Sequence, residues 1–124
     1  IIMKYSVLLV IIAFFLNINF VKAQSNKVVY FNTDTKLYEV DYFHDNGLIS
    51  QTGFLDKEGK LHGEWLHFDE TGKKITIAKF ENGSKVGTWM HWNKEWITDV
   101  TYNKSKILTV KEFPLTSSYA LRKF

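Results

Sequence analysis

The sequence predicts an all-β fold, a single-layer antiparallel meander of β-hairpin repeats, on three observations. The phrase Gly59-Lys60-Leu61-His62-Gly63-Glu64-Trp65 returns 24 residues later as Gly83-Ser84-Lys85-Val86-Gly87-Thr88-Trp89, and Leu66-His67-Phe68 is matched by Met90-His91-Trp92. A fixed period in this range is the signature of a repeat architecture. Turn dipeptides stand at Asn46-Gly47, Glu58-Gly59, Thr71-Gly72 and Asn82-Gly83, at intervals of 12, 13 and 11 residues. Such even spacing, with aromatic residues between the turns, marks successive short strands. Finally, no helical period follows residue 24.

In chain order, Ser25 to Thr35 reads as a lead-in, with Val28-Val29-Tyr30-Phe31 as a first strand. Leu37 to Phe43 is a stronger strand. Tyr38, Val40 and Tyr42 alternate there with Glu39 and Asp41, the period of a half-buried strand. Asn46-Gly47 closes a hairpin, since both central residues of a type I′ turn need positive φ, and Leu48 to Phe54 returns. Two-residue turns at Thr71-Gly72 and Asn82-Gly83 would pair Phe68 with Ile75, Leu66 with Ile77 and Glu64 with Lys79, then Ile75 with Met90 and Thr76 with Trp89. One face then carries Leu66, Phe68, Ile75, Ile77, Met90 and Trp92, the purer apolar set and the expected core. The other carries Trp65, His67, Thr76, Ala78, Phe80, Trp89 and His91. Pro114 ends the last strand, and Leu115 to Phe124 is a tail.

The 124 residues suit one domain. Met3 reads as the start of translation, Lys4 as a short basic region and Val7 to Leu16 as an apolar stretch of 10 residues. That is shorter than the roughly 20 residues of a spanning helix. Small or β-branched residues precede a cut after Ala23, so residues 1–23 are expected to be a signal-peptide helix and 24–124 the mature domain. The expected location is periplasmic or secreted. The sequence has no cysteine, which excludes a disulfide framework and a lipoprotein anchor. The mature part carries 14 basic against 13 acidic residues, with no basic run longer than Lys73-Lys74. That balance argues against nucleic acid and strong binding to anionic lipid.

Asp45-Asn46-Gly47, the phrase from Gly59 to Trp65 and the stretch from Phe80 to Trp89 resemble the MORN-repeat variant of small exported bacterial proteins. The resemblance spans about residues 42 to 102. It implies a meander of hairpins laid side by side. Members of that family are labelled antitoxin-like components or membrane-binding, and similar flavobacterial proteins are labelled nicotinate mononucleotide adenylyltransferase. The pattern lapses at Glu95-Trp96 and at Asn103 to Ser105, where a repeat would carry its turn glycine.

Chemistry-bearing motifs are few. His62 and His67 are five apart on a strand and so point to opposite faces, unlike the helical His-Glu-x-x-His zinc motif. His67 and His91 share a face but are separated by one strand, about 9.6 Å from sheet spacing, too far for easy convergence on one ion. An adenylyltransferase of the HxGH type needs that motif in an α/β fold, and the only His-Gly here is His62-Gly63. No P-loop and no Gly-x-Ser-x-Gly nucleophile turn is present. No catalytic, metal or cofactor site is therefore expected. The expected function is recognition of a protein partner, as an exported, non-enzymatic module, through an open face bearing Trp65, His67, Trp89 and His91. A nucleotide-metabolism enzyme and a peripheral binder of membrane or cell wall are the alternatives.

Overall fold

The computed structural model describes residues 26–116. The expected signal peptide and most of the expected tail lie outside them. Nine strands form one antiparallel sheet: β1 (Lys27–Asn32), β2 (Leu37–Phe43), β3 (Ile49–Leu55), β4 (Leu61–Phe68), β5 (Lys74–Glu81), β6 (Ser84–Lys85), β7 (Gly87–Trp92), β8 (Trp96–Asn103) and β9 (Lys106–Pro114). The order across the sheet is β1-β2-β3-β4-β5-β7-β8-β9, with the short β6 also on β5. This is the predicted all-β meander, and no helix occurs among the described residues.

The turns differ from expectation in an instructive way. At three of them the chain makes a three-residue loop closed by glycine. His44 N donates to Leu48 O, Asp56 N to Lys60 O and Asp69 N to Lys73 O, each at 2.8 Å. Gly47, Gly59 and Gly72 sit at φ of 86°, 80° and 85°, while Asn46 and Thr71 are not at positive φ. That is a type I turn followed by a left-handed glycine, not the type I′ turn expected at Asn46-Gly47 nor the two-residue turn at Thr71-Gly72. Side chains select it. The Asp56 carboxylate accepts from Glu58 N and Lys60 N at 2.9 Å each, and Asp69 accepts from Thr71 N and Lys73 N at 2.9 and 3.0 Å. These bonds hold both carboxyls below their ordinary pKa. The Lys60 amide is the main cause at Asp56, and the Thr71 hydroxyl at Asp69. At Asn82-Gly83, φ is positive at both residues, and the two-residue turn stands. Where the repeat pattern lapses, other chemistry closes the hairpin. The Asn93 side chain accepts from Glu95 N and Trp96 N, and Lys104-Ser105 takes positive φ without glycine.

Register follows. Phe68 pairs with Lys74 rather than Ile75, and one irregularity between His67 and Phe68 then restores the expected Leu66↔Ile77 and Glu64↔Lys79. Between β5 and β7 the pairs are Ile77↔Met90 and Thr76↔His91, two residues from the expected Ile75↔Met90 and Thr76↔Trp89. A shift of two preserves the faces, because side chains alternate with period two. The displacement arises at Val86-Gly87, between the pairs Phe80↔Lys85 and Ile77↔Met90. Gly87 lies at φ 64°, and Val86 N donates to Lys79 O. The first repeat does the same at Gly63, φ 67°, between Phe54↔His62 and Thr52↔Leu66. The second glycine of each phrase is thus a bulge residue.

The faces were partitioned correctly, and both of them, not only the expected one, carry a buried cluster. Met90, Trp92 and Ile97 form one buried cluster with Ile77 and Leu115, on the face expected to be the core. Val40, Trp65, Ala78 and Trp89 form another, on the face expected to be open. The reason is geometric. A Cβ built on Gly53 would lie 2.1 Å from Cδ2 of Trp65, so the indole lies flat over a residue that has no side chain. The Trp65 indole N–H donates to Phe54 O and that of Trp89 to Lys79 O, both at 3.0 Å. Each ring is laid down along the sheet instead of standing off it, and it buries its neighbours without a second layer.

Gly53→Ala should therefore destabilise the fold by about 1–3 kcal/mol, the usual cost of overpacking. A harmless Gly→Ala change would instead be neutral or stabilising by about 0.4–1 kcal/mol. The midpoint of urea unfolding distinguishes the two.

Candidate functional site

Antiparallel register sets side chains in rows across the strands, and two rows build this face. One runs Lys27, Tyr42, Gln51, His67, Thr76, His91, Thr98, Glu112, each paired with the next. It is polar throughout. The neighbouring row runs Val29, Val40, Gly53, then Trp65, Ala78, then Trp89, Val100, Val110, paired in register within each group, with the bulges closing the gaps between groups. It is apolar throughout, and Val40, Trp65, Ala78, Trp89 and Val100 are buried.

Where the rows run side by side they enclose an open cleft of about 500 Å³. Trp65, Ala78 and Trp89 make its floor, Gln51, His67, Thr76 and His91 its polar side, and Tyr42, Leu61 and Phe80 the remaining wall. All four residues singled out in the sequence are here, and they divide into two kinds. His67 and His91 are half-buried and reach the cleft. Trp65 and Trp89 are only 4% and 9% exposed, so the rings belong to the core and offer the cleft little free surface. Trp89 is further enclosed by Phe80 and Tyr102, ring centroids 5.1 and 5.0 Å away, and by the Lys85 ammonium 4.7 Å from its ring centroid.

The two imidazoles stand on one row with Thr76 between them, closer in register than the sequence reading placed them, because of the Val86-Gly87 displacement. Thr76 Oγ1 and His91 Nδ1 are 3.0 Å apart. Both histidines are held below the ordinary imidazole pKa. Burial is the main cause for each, followed by His91 acting on His67 and Lys85 acting on His91. Both are therefore neutral at pH 7. No Asp, Glu, Lys or Arg is among the residues lining the cleft. Among the described residues no three His, Cys, Asp or Glu side chains gather to hold a metal ion. The arrangement can hydrogen-bond and cover apolar surface.

Tyr42, Gln51 and Leu61 were missed as site residues. Tyr42 and Gln51 precede the repeated phrase, so the period does not flag them, and only carrying the register back through two more hairpins would have reached them. Comparison of the chain with protein-family models, curated proteins and solved structures found no match.

Two outcomes follow. Trp89→Ala should cost about 3–5 kcal/mol of folding stability, as for a large core aromatic, in place of the small loss expected of an open recognition residue; a urea melt reads this. The histidines give a pH dependence of fixed sign. Their folded pKa lies below the ordinary 6.5, so the unfolded chain binds more protons as pH falls. Their contribution is full above pH 6.5, and it is lost as the pH falls through the folded values. Unfolding midpoints at about pH 7.5 and 5.5 should differ in the wild type, and the difference should shrink in the variant carrying His67→Gln and His91→Gln.

Proposed function

We propose that the protein is an exported, non-catalytic recognition module that takes an uncharged segment of a partner protein into the cleft. The observation that carries this reading is the composition of the lining. An apolar floor lies beside a row of neutral hydrogen-bonding groups, with no fixed charge. A charged ligand would lose its hydration there and find no counter-charge in the lining. An apolar side chain flanked by peptide groups meets both needs, with the floor covering the side chain and Gln51, Thr76 and the imidazoles meeting N–H and C=O groups. The volume of about 500 Å³ lies in the range of pockets that orient a ligand through a few polar groups.

Selection of displayed random peptides on the purified protein tests this. The enriched sequences should carry an apolar residue among uncharged neighbours, and their binding should perturb the emission of Trp65 and Trp89. Gln51→Trp, which fills the cleft from its polar side, should weaken them at least about tenfold, or about 1.4 kcal/mol, with the unfolding midpoint retained. Charged consensus peptides, or binding that survives Gln51→Trp, would refute the reading.

A further inference from the structure

The two outer strands are the most exposed part of the sheet. On β1, Val28, Val29, Tyr30 and Phe31 are 45–52% exposed, and on β9, Ile107, Leu108 and Val110 are 55–56% exposed. Open apolar edges are templates for another strand. Backbone direction on each edge is fixed by the ladder. Phe43 N donates to Asn26 O, so Asn26 faces β2. Alternation then turns the N–H and C=O of Lys27, Val29 and Phe31 outward. On the far side Leu115 N donates to Glu95 O, so residues 115, 113, 111 and 109 face β8. Val110 and Glu112 therefore point outward. Eight strands alternate in direction from β1 to β9, so β1 of an identically oriented copy arrives antiparallel to β9.

We propose that β9 of one copy pairs with β1 of the next, in the register Glu112 to Lys27 and Val110 to Val29. Three independent features converge on this one alignment. Outward-facing Lys27 and Val29 meet outward-facing Glu112 and Val110. The polar row, which begins at Lys27 and ends at Glu112, continues into the next copy through an ion pair. Among the described residues neither side chain has an ion pair within its own chain, where the one salt bridge joins Lys60 to Glu58. The apolar row, which begins at Val29 and ends at Val110, continues through a valine pair. Pro114, which lacks a donor, falls beyond the paired stretch. The contact is head-to-tail, so it does not close at a dimer; it propagates as a ring or an open array, with the clefts of successive copies on one face.

Sedimentation over a concentration series, with circular dichroism as the control for folding, tests the proposal. The wild-type protein should grow beyond dimer as concentration rises. Lys27→Glu alone or Glu112→Lys alone places like charges opposite one another and should raise the concentration for half-association at least about fivefold. An equimolar mixture of the two variants, or the doubly exchanged protein, should recover it. The chain has no cysteine, so Tyr30→Cys combined with Thr109→Cys creates a cross-link between positions facing each other only in this register. Oxidation should give a ladder of covalent multimers. A wild type that stays monomeric at every soluble concentration, assembly that stops at a dimer, charge variants that the mixture fails to rescue, or oxidation without a ladder would each overturn the proposal.

Discussion

Everything in this fold depends on the placement of two indole rings along the plane of a single sheet. A one-layer sheet has no opposing layer to cover its apolar residues, so it must bury them within its own face. Trp65 does this by lying over the backbone of Gly53, and Trp89 by lying among Phe80, Tyr102 and the Lys85 ammonium. Each indole N–H finds a backbone carbonyl on the preceding strand, which removes the cost of burying a donor. The result is a core cluster, with Val40 fully buried, on a face that no second layer covers among the described residues.

The glycine two residues before each tryptophan makes that placement possible. Gly63 and Gly87 take left-handed backbone conformations and each displaces the strand pairing by two residues. Without that displacement Trp89 would stand opposite Thr76. With it, the tryptophans fall into the row of small and β-branched residues, and the histidines into the row of Gln51 and Thr76. One backbone device, used twice at a spacing of 24 residues, thus separates an apolar floor from a polar side and creates the cleft between them.

The chemical character of the cleft comes from the same separation. The polar row is charged only at its two ends, Lys27 and Glu112, and is neutral wherever it borders the cleft. Burial keeps His67 and His91 uncharged near pH 7. A site of this kind discriminates by shape and hydrogen bonding, because no charged side chain lines it.

The sequence by itself determined the all-β meander, the positions of nearly every strand and the sharing of faces. These follow from local chemistry: period-two alternation, turn residues and a repeated phrase. It also placed Trp65, His67, Trp89 and His91 on one face. Only the tertiary structure decided that both faces hold a buried cluster, since composition favoured Leu66, Phe68 and Ile75 for burial and the absence of a side chain at Gly53 let Trp65 be buried on the other face. Likewise it decided that His67, Thr76 and His91 lie in one row, because a displacement of two residues leaves every face unchanged and so leaves no trace in hydrophobic periodicity. Tyr42 and Gln51 join the cleft through two further hairpins, each with a three-residue loop and its own register irregularity. A pattern one strand long cannot encode that sum of local registers, and only the assembled ladder fixes it.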